Sequence, residues 1–85
     1  MPEISSFYGI VISMYPEDHN PPHFHVRYNE FRAMIEIETR NVIGELPNRA
    51  LRIVLEWLDL HETELMNNWK NLQKGKSVVK IKPLE

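Results

Sequence analysis

The chain has 85 residues, of which 42% are hydrophobic and 26% are charged, and this composition is typical of globular proteins. A chain of this length forms one domain, so we expect residues 1–85 to fold as a single unit. It contains no cysteine, which excludes disulfide bonds, thiolate zinc sites and a cysteine nucleophile. A net charge of −2 gives no support to broad electrostatic binding of nucleic acid.

Hydropathy points to a protein of the cytoplasm. No apolar run approaches the roughly 18 residues that span a bilayer, so no membrane segment is expected. The first residues lack the basic region and the long apolar stretch of a secretory signal. The absence of cysteine is consistent with a reducing compartment.

Residues 4–15 predict the first strand. They are rich in β-branched and aromatic residues, and apolar side chains occur at both odd and even positions. A strand with apolar groups on both faces is expected in the centre of a sheet. Pro16 ends this strand, and residues 17–22 form a loop because two prolines oppose a helix there.

The next two strands are expected to form a hairpin. Residues 23–28 and 31–37 alternate apolar and polar side chains, which is the period of a half-buried strand. Asn29 and Glu30 between them predict a two-residue turn, since asparagine tolerates the positive φ that such turns require. A short fourth strand is expected over residues 42–46.

The second half of the chain predicts helices. Pro47 suits a first helical position, and residues 50–60 are mostly apolar, which indicates a helix covered on two sides. Asp59 and Glu62 have the spacing of a capping box, so a second helix is expected to begin there, with one bent helix as the alternative. Gly75 is a natural end for the helical region.

These elements define an α+β fold. We expect an antiparallel sheet of three to five strands, with two helices, or one bent helix, packed on one face. Residues 78–82 are expected to return as an edge strand, whose lysines discourage pairing with other chains.

Three of the four histidines lie within seven residues, and they are the main candidates for chemistry. His23 and His25 are two positions apart on a predicted strand, so their side chains share one polar face. A two-residue turn pairs the hairpin so that His23 lies opposite Glu36 and Arg27 lies opposite Arg32, with about 5 Å between paired Cβ atoms.

One functional interpretation of this cluster is a metal site. His23 and His25 have good ligand geometry, and His19 or Glu36 could complete a three-ligand site with an open position for water. Zinc or another divalent metal is then the expected cofactor. The structural alternative is that these histidines are ordinary polar residues of a half-exposed sheet.

The other functional interpretation is acid–base catalysis without a metal. Imidazole titrates near neutral pH, so His23 and His25 could transfer protons while Glu36 holds the tautomer of one ring. Arg27 or Arg32 could stabilise a phosphorane or an oxyanion. This combination of imidazole, carboxylate and guanidinium groups is typical of a small ribonuclease. The catalytic candidates are therefore His23, His25, Glu36 and Arg27.

Further cations are candidates for binding. Arg32, Arg49 and Arg52 are the predicted binding residues, and the last two open the predicted helix. Residues 70–82 contain five lysines and no acid. A solvated surface and the helix macrodipole, which favours cations at a C-terminus, are the alternative explanation for these charges.

Several motifs span nearly the whole chain. They are Phe7-Tyr8-Gly9-Ile10-Val11-Ile12, Asp18-His19-Asn20-Pro21-Pro22-His23-Phe24-His25-Val26, Leu46-Pro47, Arg49-Ala50-Leu51, Trp57, Leu60-His61 and Asn68-Trp69. In these motifs the chain resembles a family of small, mostly bacterial proteins, catalogued as domain of unknown function 4160. It departs from the family at Glu30, where members often have glycine.

The resemblance implies a role for residues 18–25 and a partner. Members resemble one half of a pair whose second small domain is encoded next door, an arrangement similar to toxin–antitoxin modules. A small partner protein from a neighbouring gene is therefore implied. The resemblance carries no established activity.

Two functions from different classes follow. The first is the toxin-like half of a two-protein module that acts on RNA or another phosphodiester through the histidine cluster. The second is a binding module without enzymatic activity, in which the apolar surface of residues 47–60 or the sheet edge contacts a partner protein or a second copy of the chain. In the second case the histidines are structural or bind metal.

Overall fold

The computed structural model describes residues 3–84, which form a five-stranded antiparallel sheet followed by one long helix. Each strand is hydrogen-bonded to its neighbours in chain order, so the sheet is a meander. The predicted α+β class is confirmed, and the number of strands is the upper end of the expected range. The elements are β1 (Glu3–Phe7), β2 (Ile10–Ser13), β3 (His23–Tyr28), β4 (Phe31–Glu36), β5 (Val42–Gly44) and α1 (Asn48–Gln73).

The first predicted strand is in fact two strands joined by a tight turn. Tyr8 and Gly9 have φ angles of 52° and 80°, and their turn pairs Phe7 with Ile10. Such turns need positive φ at both central positions, which glycine adopts without strain. Paired residues share a face, so Phe7 is buried in the core beside Ile10. The expectation of one central strand is therefore wrong.

The register of the β3–β4 hairpin agrees with the prediction. His23 pairs with Glu36, and Arg27 pairs with Arg32. Asn29 in the connecting turn has a φ of 54°, as a two-residue turn requires. His23, His25 and Arg27 alternate with the buried residues of β3 and therefore lie on one face of the sheet.

The helix covers the other face and forms the core with it. Phe24, Val26 and Ile35 are among the buried strand residues that point toward α1. Trp57 of α1 is fully buried, and its ring lies 5.9 Å from that of Phe24. The opposite side of the sheet, which we call the open face, includes Val11, Ser13, His25, Arg27, Arg32, Met34 and Ile43, and it continues through the paired residues His23 and Glu36.

The helix is a single element with one interruption. His61 has a φ of −126° and a ψ of 22°, so the backbone leaves helical geometry at this residue. The expected pair of separate helices is not confirmed, and Pro47 is the N-cap rather than the first helical residue. Among residues 3–84, no helix has both the length and the apolar character needed to cross a membrane.

A side-chain bridge lies beside this interruption. Arg40, in the turn between β4 and β5, donates hydrogen bonds to Asp59 at 2.8 Å and Glu62 at 3.2 Å. The bond to Asp59 raises the pKa of the Arg40 guanidinium above its ordinary value, although partial burial opposes the shift. The two acids with capping-box spacing therefore bind a turn of the sheet instead of starting a second helix.

The C-terminal segment follows β1 without forming a strand. Residues 77–84 have no regular secondary structure, and Ile81 donates one backbone hydrogen bond to Ile4 at 2.8 Å. The side chain of Asn68 in α1 both donates to and accepts from the backbone of Val79, at 2.9 Å each way. The expected edge strand is therefore wrong, because the helix satisfies backbone groups that a strand would pair with β1.

Candidate metal centre

The loop between β2 and β3 presents an acid to the histidines. Tyr15 to Asp18 form a turn in which the Asp18 N–H donates to the Tyr15 carbonyl at 3.2 Å. Pro16 occupies the second position of this turn, where its fixed φ is favoured. The turn reverses the chain directly after β2, so Asp18 lies beside the start of β3.

The C-terminal part of α1 holds this loop from the other side. The Trp69 indole Nε1 donates to the Asn20 side-chain oxygen at 3.2 Å, and the Gln73 side chain donates to the Asp18 carbonyl at 3.2 Å. The Trp69 ring also lies 5.2 Å from the His23 ring. The two hydrogen bonds position the loop, because each joins a loop residue to the C-terminal part of α1.

Asp18, His23 and His25 form a cluster, which we call the triad. One carboxylate oxygen, Asp18 Oδ2, lies 2.9 Å from His25 Nε2 and 3.5 Å from His23 Nε2. The three potential ligand atoms all lie within 4.8 Å of one another. The side chains are 18%, 12% and 29% exposed in chain order, so the triad is partly shielded but still open to solvent.

The hydrogen bonds of His23 define which ring nitrogen is free. His23 Nδ1 lies 2.8 Å from the Pro21 carbonyl, which can only accept, so Nδ1 carries the hydrogen. In the neutral ring the lone pair is then on Nε2, which faces Asp18 Oδ2. Two acceptor atoms facing each other at 3.5 Å repel, and either a proton on Nε2 or a metal cation between them removes the repulsion.

This arrangement is also the usual one for a metal-binding histidine. Metal-ligating imidazoles commonly donate their other N–H to a backbone carbonyl or a carboxylate, which fixes the tautomer and the ring orientation. The Pro21 carbonyl has that role for His23. The His25 ring is held edge-on to Tyr15, with ring centroids 4.6 Å apart.

Comparison with known proteins identifies the family but no activity. A family model described as domain of unknown function (DUF4160) matches residues 9–70, which is most of the chain and includes the whole triad. The chain belongs to this family. No curated protein and no solved structure matches it.

In this DUF4160 protein the acid of the site is Asp18, which the sequence reasoning missed as a ligand. His19, the predicted third ligand, is exposed in the loop and lies outside the triad. Pro16, which favours a turn that ends at Asp18, is the signal that could have identified the acid.

Glu36 has the predicted position but not the predicted contact. It pairs with His23 across the hairpin, yet its carboxylate accepts a hydrogen bond from Thr39 at 2.7 Å. The carboxylate beside His23 is that of Asp18. Thr39 lies in the turn after β4, which brings its hydroxyl back to Glu36, so the expected His23–Glu36 dyad is not formed.

The candidate arginines divide between the two sides of the sheet. Arg27 and Arg32 are exposed on the open face, directly opposite each other. Arg49 and Arg52 are exposed on α1, and Arg49 borders a separate cavity of about 520 Å³ that Tyr28 also lines. The structure therefore groups Arg27 with Arg32 near the triad and does not bring the helix arginines to it.

Proposed function

We propose that this DUF4160 protein is a metalloprotein in which Asp18, His23 and His25 bind a divalent transition metal, with zinc as the first choice. The observation that carries the proposal is that two imidazole nitrogens and one carboxylate oxygen lie within 4.8 Å of one another. In the neutral ring the lone pair of His23 Nε2 faces the carboxylate oxygen of Asp18. A metal site is one of the functions that the sequence predicts for these histidines, and we propose Asp18 as its third ligand.

The distances in the triad suit zinc. Zinc binds imidazole nitrogen and carboxylate oxygen at about 2.0–2.2 Å, and tetrahedral geometry then separates neighbouring ligand atoms by about 3.3 Å. The separations from Asp18 Oδ2 are 2.9 Å and 3.5 Å, and all three ligand atoms lie within 4.8 Å of one another. Side-chain rotations that bring the two imidazole nitrogens closer together would complete the site. The hydrogen that His25 Nε2 donates to Asp18 would then move to Nδ1 of the same ring, so that the Nε2 lone pair would be free for the metal.

Three protein ligands leave a position for water. Catalytic zinc sites use three ligands and an open position, and zinc lowers the pKa of the bound water to about 7. A zinc ion held by Asp18, His23 and His25 would supply this chemistry, a water nucleophile that is active at neutral pH. We therefore propose hydrolysis as the activity of the centre, in agreement with the open position for water that the predicted three-ligand site leaves.

A small partner protein and a toxin–antitoxin-like arrangement stay predictions. Neither the fold nor the family match bears on a partner. A homodimer and a non-enzymatic binding role are likewise untested. The metal centre is compatible with each of these arrangements, since the triad is built from one chain.

Calorimetric titration of chelator-treated protein with Zn²⁺ tests the proposal. We expect one equivalent of zinc to bind, with chemical-shift changes at the ring nitrogens of His23 and His25. The Asp18→Asn variant keeps the size of the side chain but removes its charge, and we expect its zinc affinity to fall by about 100-fold. A parallel titration with Fe²⁺ distinguishes zinc from iron, which also binds two imidazoles and a carboxylate.

The matched control is His19→Ala. His19 is the neighbour of Asp18 in the loop between β2 and β3. We expect this variant to bind zinc like the unmodified chain, because His19 lies outside the triad. Zinc binding that survives Asp18→Asn but is lost in His19→Ala would contradict the proposal and support the three-histidine site. Absence of stoichiometric binding of either metal would also overturn it.

A further inference from the structure

The open face contains a concave surface next to the triad. The depression has a volume of about 450 Å³, and His25 forms one part of its wall. Arg27 and Arg32 supply its positive charge, while Met34 and Ile43 supply apolar surface. A proposed metal ligand, two cations and apolar side chains thus border one shared space.

The arginine pair is unusual for an antiparallel sheet. Like charges directly opposite each other destabilise a strand pair. Neither the Arg27 guanidinium nor the Arg32 guanidinium has a hydrogen bond or an ion pair with another residue of the part of the chain that the structure describes. Such local conflicts are typical of functional sites. An anion between the two guanidinium groups would convert the repulsion into attraction.

The spacing of the site suits a chain of linked phosphates. His25 and Arg27 are two residues apart on β3, which is about 7 Å along a strand. If one phosphate of a strand binds at the metal, the next phosphate of the same strand can bind between the arginines. Both phosphates then lie along the direction of β3. Arginine is well suited to phosphate because its planar fork forms two parallel hydrogen bonds.

The apolar surface favours a single strand over a duplex. Unpaired bases can stack on apolar and aromatic side chains, whereas paired bases in a helix cannot. Met34 and Ile43 lie beside the arginine pair, and Ile43 is 48% exposed. Binding to duplex by charge alone would need more cations than a chain with a net charge of −2 offers.

We propose that the open face binds the phosphodiester backbone of single-stranded nucleic acid, with Arg27 and Arg32 clamping the phosphate next to the one at the triad. This proposal rests on the proposed function in one respect: the bound strand would be hydrolysed only if the triad holds a metal. The arginine clamp itself needs no metal, so the two proposals can fail separately.

Fluorescence anisotropy with a labelled ten-nucleotide single strand tests the clamp. RNA and DNA of the same sequence are titrated as single strands and as duplexes over a series of salt concentrations that begins at low salt, once with EDTA and once with zinc. We expect Arg27→Gln and Arg32→Gln each to raise the Kd about tenfold, and to reduce the dependence of log Kd on log salt by about one. We expect neither variant to lower the thermal unfolding midpoint, because each removes a repulsion.

The matched control is Lys80→Gln, which removes one exposed cation at the β1 side of the sheet. We expect its Kd to stay within twofold of the unmodified protein. No saturable binding of either single strand, preference for duplex, or an equal loss in Lys80→Gln would overturn the clamp. Binding of both RNA and DNA, or of one of them, supports it and identifies the source of the phosphates.

The EDTA arm separates this proposal from the metal centre. Arginine-dependent binding that persists in EDTA, in a protein that takes up no zinc, would support the clamp and reject the metal proposal. Stoichiometric zinc binding, combined with arginine variants that bind the strand like the unmodified protein, would reject the clamp and leave the metal centre standing.

Discussion

Zinc is expected to raise the thermal unfolding midpoint of this protein, because its three proposed ligands come together only in the folded chain. Asp18 reaches the histidines through the Tyr15–Asp18 turn, and the loop is held by Trp69 and Gln73 of the helix. Unfolding breaks these contacts and separates the ligands. The binding free energy of zinc therefore adds to the free energy of unfolding.

The size of the effect follows from mass action. Free zinc at 100 times its Kd contributes about 2.7 kcal/mol. For a domain of this size, 1 kcal/mol shifts the midpoint by about 4–8 °C, so the full effect is roughly 10–20 °C. The unfolded chain keeps His23 and His25 two residues apart and retains some affinity, so we expect a shift near the lower end of that range.

Thermal unfolding followed by circular dichroism, with and without zinc, measures the shift. The Asp18→Asn variant should lose most of it, while His19→Ala should keep it. Zinc that binds stoichiometrically but shifts the midpoint equally in both variants would refute the reasoning. In that case the metal would be held by the histidine-rich segment in folded and unfolded chains alike.

The remaining predictions concern the elements that support the site. Trp69→Phe removes the indole donor to the loop, so we expect about tenfold weaker zinc binding in calorimetry and a loss of about 1 kcal/mol in urea unfolding. Trp57→Phe removes an indole bond away from the triad and should lower stability without changing zinc affinity. Gly44→Ala should cost at least about 2 kcal/mol, because its φ is 109° and its Cβ would lie 2.6 Å from a backbone oxygen. Gly75→Ala, with a φ of 76° and open space, should cost only about 1 kcal/mol. Equal losses of stability in the two alanine variants would contradict this steric explanation.

The β3–β4 hairpin can be predicted from the local sequence pattern. Alternation of apolar residues identifies both strands, and a two-residue turn at Asn29 leaves only one register. The pairing of Arg27 with Arg32 is therefore predictable without a structure, and it is confirmed. Both the turn and the alternation are properties of consecutive residues, which is why this part of the site can be derived from the sequence.

The first hairpin shows where local pattern fails. Residues 4–15 carry apolar side chains at odd and even positions, and this signal is equally typical of a strand buried on both faces. The positive φ of Tyr8 converts the segment into two strands, although Gly9 alone suggests only a flexible point. Both strands then place apolar side chains toward α1, which explains the double pattern.

The sequence therefore defines the α+β class, the second hairpin and the shared face of His23 and His25, since these depend on neighbours along the chain. The acid of the site depends on the tertiary structure. Asp18 faces β3 because Trp69 and Gln73 hold its loop. Trp69 contacts Asn20, which is 49 positions away along the chain, and Gln73 contacts Asp18, which is 55 positions away. No local preference encodes such contacts. The contacts of the loop with α1, together with the turn at Pro16, place Asp18 rather than His19 beside the histidines.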